Sequence, residues 1–365
     1  MKRIATAFVV SLALTTTHAS RSAAAPTSAF GVVSTIAGAA KPGFADGQGI
    51  AARFNGLFGV AVDQDGTVYL SDAFNNRIRK VTKGAMVSTL AGTGKAGFAD
   101  GPASVAQFSA VQGLGVDGNR SVYVADPHNN RIRKIDRFGN VSTVAGTGEE
   151  GYLDGPRSAA RFFGPTGIAV DRSGILYVGD NLNYRIRKVD REGNVTTHAG
   201  SGLTILSDGS GVSGFADGPG VNAQFRNPTA VALDRKGNLY VADYNNCRVR
   251  RIDRARRVTT LVAPPGGCGV PEDPARDGVF SKPIDIETDT AGNVFVAENF
   301  QIKMITTTAK VVTVAGSQQS GHVDGPAAAA KFGVIAAIAL DPTERFLYVA
   351  DENTLRRIEL PKAQR

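Results

Sequence analysis

The chain has 365 residues, 42% of them apolar, which is ample for a large core; its formal charge of +8 is too modest to mark a nucleic-acid binder by itself. Two cysteines exclude a disulfide-built scaffold and leave room for one bridge. Beyond the first thirty residues no stretch is long and apolar enough to span a bilayer as a helix.

The chain starts with basic MKR, continues through the apolar run at 4–17, and then offers small residues at Ala19 and from Ala23 to Ala25. That order predicts a secretory leader over about residues 1–25, with the cut falling between 19 and 25, and hence a secreted or periplasmic protein. Removing Lys2 and Arg3 lowers the formal charge to about +6. Some 340 residues remain, and an internal period decides their organisation. Asp72, Asp126, Asp180, Asp243, Glu298 and Asp351 recur at spacings of 54, 54, 63, 55 and 53 residues.

Each unit holds four short strand patterns. In the second they are GLGVD (113–117), SVYVAD (121–126), RIRKID (131–136) and VSTVAG (141–146), separated by turn signals of the DRSG and NN types. Four strands per unit and six units predict an all-β, six-bladed β-propeller over residues 30–361, followed by a tail at 362–365. The last unit stops after LRRIEL (355–360), and the missing fourth strand stands at the other end as VSTIAG (33–38). The ring is therefore predicted to close by pairing of 33–38 with 355–360.

The repeats GVAVDQDGTVYLSDAFNNRIRKV (59–81) and GIAVDRSGILYVGDNLNYRIRKVD (167–190) resemble those of the NHL-repeat propellers, and the resemblance covers about residues 31–360. It implies the propeller fold. For activity it implies no single answer, because such propellers include protein-binding and RNA-binding modules, sensor domains and a metal-dependent amidating lyase.

Repetition argues for architecture, since a site needs asymmetry. Asp72 with Arg77, Asp126 with Arg131, Asp180 with Arg185 and Asp243 with Arg248 are expected to bridge across each hairpin. The recurring GFADG (43–47, 97–101, 214–218) and its variants are expected to cap a short helical turn through their Asp. The Phe that ends each following segment (Phe54, Phe108, Phe162, Phe225, Phe280, Phe332) is expected to seal a blade junction. The basic RIRK strands bring no array of stacking aromatics, so nucleic acid is not the expected partner.

Two departures from the repeat carry the functional expectations. Where the other innermost strands have Gly or Ala, blade 5 has Asp285 and Glu287, two residues apart and so on one strand face. They either pair with Lys282, Lys303 or a neighbouring arginine, or form the centre of an enzyme, as metal ligands for calcium or zinc or as an acid/base pair. The enzyme in question would be a lactonase-like hydrolase or an amidating-lyase-like lyase. The histidines show no paired ligand spacing and no Gly-x-Ser-x-Gly elbow occurs, so the leading expectation involves no cofactor. The second departure is at the hairpin tips, where Phe74, His128, Leu182, Tyr244 and Phe300 gather at one end of the ring and predict a surface for a protein, peptide or glycan. The insert GLTILSDGSGV (202–212) is expected to add a loop at that end. Cys247, in a tip, and Cys268, in the next inter-blade loop, are expected to form a disulfide. The sequence thus reads as an exported, monomeric propeller that binds a partner.

Overall fold

The computed structural model describes residues 30–202, 204–205, 211–212, 214–263, 268 and 280–361; the predicted leader and the tail at 362–365 lie outside the described residues. Six antiparallel sheets form the blades of the ring. In blade 1 the strands run Leu57–Val62, Val68–Asp72, Arg77–Val81 and Met86–Ala91, from the axis outward. Blade 5 repeats them as Pro283–Thr288, Val294–Glu298, Gln301–Ile305 and Val311–Gly316.

The sequence pattern of each strand follows its depth. A second strand such as Val122–Asp126 is buried at all five positions, because neighbouring blades cover both of its faces. A fourth strand such as Asn140–Ala145 alternates exposed and buried residues at its start, because its outer edge faces solvent. The turns between first and second strands are held by Asp side chains: Asp63 Oδ1 accepts the amides of Asp65 and Thr67, and Asp171 Oδ1 those of Ser173 and Ile175.

Blade 6 is completed from the other end of the chain. Val32–Gly38 runs antiparallel to Thr354–Glu359, with Val33 opposite Ile358 and Ala37 opposite Leu355. Gly325–Pro326 then pairs with Val32 and Val33 on the outside. The same two-residue strand starts at the last glycine of GFADG in blade 1, where Gly47–Gln48 pairs with Met86 and Val87. It is a fifth strand that the four-strand pattern did not anticipate.

The repeated charges pair differently from the sequence expectation. Asp72 lies directly opposite Arg77 in the ladder, yet its partner is Arg79, at 2.6 Å. Arg133 with Asp126 (2.9 Å), Arg187 with Asp180 (2.6 Å) and Arg250 with Asp243 (2.7 Å) repeat the arrangement. Each of these arginines is fully buried and takes a second carboxylate from the GFADG loop: Asp46, Asp100, Asp154 and Asp217. The reason is reach. Arg79 sits one pleat deeper on the same face as Arg77, and a guanidinium spans to the diagonal neighbour, where its fork also meets the carbonyls of Ala45 and Arg53. Arg77 turns outward, stacks 3.9 Å above the Phe44 ring and donates to the carbonyls of Asn75 and Thr93.

The GFADG aspartate is accordingly not a helix cap. The short turn after it has Gln48 at its N-cap, with no side-chain capping bond, while Asp46 accepts from Arg79 and from the Thr89 amide of the fourth strand. The six phenylalanines are all buried at the blade junctions, as expected; Phe54 packs with Ala337, Ala350 and Leu355 of blade 6 as well as with Leu70 of its own blade. The insert forms a small hairpin, Thr204–Ile205 against Gly211–Val212. Among the described residues no helix is long and apolar enough to cross a membrane.

Candidate functional site

All six hairpin tips lie where second strands end and third strands begin, at the same end of the ring as the loops that join blades. Four tips are single 3-10 turns closed by a left-handed residue: Asn76, Asn130, Tyr184 and Cys247. Two central residues of a tip are therefore held out on a stiff support. Of the predicted contact residues, Phe74, His128 and Leu182 are exposed, and Tyr244 and Phe300 are half-buried. Phe74 meets Phe58 edge to face, with ring centroids 5.6 Å apart, and the Nζ of exposed Lys282 lies 5.4 Å from the Tyr244 ring.

Beneath the tips, the inner strands enclose a cavity of about 300 Å³ on the propeller axis. Two rings of residues line it. The upper ring is Phe58, Gln112, Thr166, Thr229, Ile284 and Ala336, one from each blade. The lower ring is Val60, Leu114, Ile168, Val231, Ile286 and Ile338, aliphatic in every blade. Sequence reasoning missed the upper ring, although its signal was there: beside positions that stay small or aliphatic in most blades, that one changes from Phe to Gln, Thr, Ile and Ala. Val334 is half exposed and also lines the cavity, which extends the apolar collar formed by Phe58 and Tyr244.

On either side of the lower-ring residue in each strand are the two positions that are small in five blades. Their Cβ direction faces the next blade: a side chain on Gly59 would collide with the Gln112 carbonyl, and one on Gly113 with that of Thr166. There the neighbouring inner strands meet backbone to backbone, as in the bond from Gly113 N to Thr166 O (3.1 Å). Blade 5 instead inserts Asp285 and Glu287 toward blade 6. Asp285 Oδ2 accepts the Ile338 amide at 2.6 Å, and Glu287 Oε1 accepts the Thr288 amide at 2.9 Å. Each carboxyl reaches the cavity along one edge and is otherwise enclosed by protein.

Enclosure dominates their chemistry. Burial pushes the Asp285 carboxyl up to about 7, against the lowering effect of the Ile338 and Ile286 amides. Burial raises Glu287 to about 7 as well, with the charges of Asp285 and Glu344 adding to the rise. Near neutral pH the pair is therefore partly protonated, a state suited to giving or taking a proton. Among the described residues neither carboxylate forms an ion pair with Lys282 or Lys303; Lys303 bonds to Glu298 at 3.1 Å, taking the place of the arginine of other blades.

Metal ligation fits these residues poorly. The described residues contain no group of three or more His, Cys, Asp or Glu side chains placed to hold an ion, and two carboxylates meet neither the donor set of zinc nor that of calcium. The histidines are scattered. His198 packs edge-on to Tyr177 (5.0 Å), and burial together with the nearby Arg256 and Lys188 lowers it to about 4. His322 sits between Asp351 and Glu352, at 3.5 and 3.2 Å. Cys247 and Cys268 are disulfide-bonded with Cα atoms 5.4 Å apart, tying a blade 4 tip to the loop before blade 5.

Comparison with known proteins agrees with this architecture. The NHL repeat model matches residues 225–252. NHL repeat-containing protein 2 of Bos taurus is 28% identical over 328 residues, covering 80% of this chain and 45% of its own length. Teneurin-1 of Homo sapiens is 30% identical over 350 residues, covering 84% of this chain and 12% of its own. The chain thus spans less than half the length of the curated relatives it matches. Among solved structures, an auxiliary nutrient binding protein from Bacteroides thetaiotaomicron superposes with a TM-score of 0.63 at 17% identity (90% of this chain, 76% of the other). A gluconolactonase from Xanthomonas campestris superposes with a TM-score of 0.57 at 12% identity (90% and 89%). At these identities the structures speak for the fold alone. Repeat, homologues and ring together show that the chain belongs to the NHL-repeat β-propellers.

Proposed function

We propose that the protein is an exported, monomeric binding module that grips a protein, peptide or glycan at the tip end of the ring. The observation that carries this reading is the collar at the channel mouth. Phe58 and Val334 line the cavity, Phe74 and Leu182 stand on the tips at the same end of the ring, and each is 39–63% exposed. Stiff apolar side chains around a concavity bind at small entropic cost, because little is left to order. His128 and Phe300 would extend the contact along the tips of blades 2 and 5. The Cys247–Cys268 bond supports export, since disulfides persist in oxidising compartments. The reading is tested by screening the protein without its leader against peptide and glycan arrays beside the double variant Phe74→Ser, Leu182→Ser. At least a tenfold loss on every hit is expected; hits retained at full strength in the variant would discard the collar as the contact surface.

A second reading, a hydrolase or lyase centred on Asp285 and Glu287, is favoured by one observation: two carboxyls raised to about 7 beside a cavity. Turnover of lactones or esters that disappears in Asp285→Asn with the fold intact would establish it over the binding reading.

A further inference from the structure

Among the described residues twenty-one line the axial cavity, and Asp285 and Glu287 are the only charged ones of these. All of that charge is negative and comes from one of six walls. The position is also the one where the ring departs from its own construction, since the equivalent residues elsewhere are Gly or Ala facing the next blade's backbone. Backbone amides bond both carboxyls, yet no described cation pairs with either. A carboxylate walled by protein and lacking a counter-charge is unfavourable, so a cation entering the cavity gains more there than at an open surface.

The shape around the acids narrows the kind of cation. Strand rise places Asp285 about 3 Å and Glu287 about 10 Å below Ile284 of the mouth ring. Phe58, Ile284 and the Tyr244 ring stand at the mouth, Asp285 lies between the two rings, and Glu287 follows Ile286 of the aliphatic ring, so the acids flank that ring on one wall. A bare metal ion would leave the collar unused and lacks a third ligand among the described residues. The Thr166 hydroxyl is already engaged with the Thr229 carbonyl, at 2.8 Å. At the mouth the Tyr244 ring already faces one ammonium, Lys282 Nζ, at 5.4 Å.

We propose that this cavity takes a primary ammonium group on an apolar or aromatic body, the ammonium seated against Asp285 and Glu287 and the body against Phe58, Ile284 and Tyr244. This rests on the binding reading given above and names the chemistry of its anchor. The same group occurs on a free amine and on a lysine side chain of a peptide, and the channel mouth admits either.

Calorimetric titration with phenethylamine and with its neutral counterpart 2-phenylethanol tests the site at pH 8. The amine is expected to bind saturably and the alcohol at least tenfold more weakly. In Asp285→Asn, Glu287→Gln the amine should fall to the level of the alcohol, while the alcohol is unaffected. Equal affinity for amine and alcohol, unchanged amine binding in the double variant, or no amine binding at all would each overturn the proposal. A lysine-containing pentapeptide compared with its norleucine counterpart then identifies the source: a lysine preference above that of phenethylamine assigns the site to a partner chain, and the reverse order to a free amine. The collar variant Phe74→Ser, Leu182→Ser separates the two readings. Amine binding that survives while array hits are insensitive to the collar removes only the macromolecular partner; collar-dependent hits without amine binding remove only the anchor.

Discussion

Blades 2 and 5 share a backbone plan and differ in what they do with charge. In blade 2, Arg133 is buried between Asp100 and Asp126 and lies 4.7 and 5.1 Å from the rings of Phe98 and Phe108, so the buried Asp126 has its counter-charge, and the inner strand carries Gly113 and Gly115 where blade 5 has acids. In blade 5 the corresponding pair is Lys303 with Glu298, and the inner strand carries two acids without described cations. The shared part builds the ring, and the departure gives it a direction. A propeller with six identical blades would have an axial cavity with no preferred wall; this one is acidic at the junction of blades 5 and 6, and its other described lining residues are uncharged.

The sharpest way to break the comparison is to remove the blade 2 clamp. Burial pushes the Asp126 carboxyl up, and the guanidinium of Arg133 together with donors from Asn129 and Ser109 opposes that rise. Arg133→Ala would strand two carboxylates, one of them fully buried, and is expected to destabilise the ring by about 3–5 kcal/mol in denaturant unfolding. Arg133→Lys with Asp126→Glu transplants the blade 5 pair. It keeps the charges and loses the planar fork that meets two carboxylates and two carbonyls, so a loss of roughly half that size is expected. A transplant as damaging as the alanine would mean that charge alone contributes nothing to the clamp.

Sequence reading recovered the blades because their signals are periodic: acids 53 to 63 residues apart, four strand patterns in each unit, and an unmatched strand at each end of the ring. It misassigned the arginines by two residues because ladder register places Arg77 opposite Asp72, whereas pairing is decided by side-chain reach and by the Phe44 ring that claims Arg77. It took Asp46 for a cap because its true partners, Arg79 and Thr89, lie 33 and 43 residues away. The acids of blade 5 were legible as exceptions in an aligned strand. That their face points at blade 6 was not, since the direction follows from how inner strands twist and pack, and the cavity itself exists only once six blades meet.

The disulfide offers a second, smaller probe. Cys247 occupies the left-handed position that closes the blade 4 tip, and its bond to Cys268 spans 21 residues leading into blade 5. Replacing both with serine is expected to lower unfolding free energy by about 3 kcal/mol, as loop-closure entropy suggests. Because the bond lies at the blade 4–5 boundary, protection of the blade 5 amides from hydrogen exchange should fall further than that of blade 2. A uniform loss of protection would show that the bond stabilises the ring as a whole and not the entry to the divergent blade.

The smallest expected effect separates the two blades by pH. Asp285 and Glu287 titrate near 7 in the folded protein and at their ordinary lower values when unfolded, so between about pH 4 and 7 the folded state holds more protons. Their contribution to stability is therefore most favourable below the unfolded values and is lost as pH rises through 7. Asp285→Asn, Glu287→Gln removes that dependence. The variant should match the wild type near pH 4 and exceed it by roughly 2 kcal/mol at pH 8, a figure reduced from the full shifts because both groups touch the channel. If the neutral variant were instead less stable at pH 8, the carboxylates would have to be charged and compensated in the folded ring, and the asymmetry between blades 2 and 5 would be one of shape and not of charge.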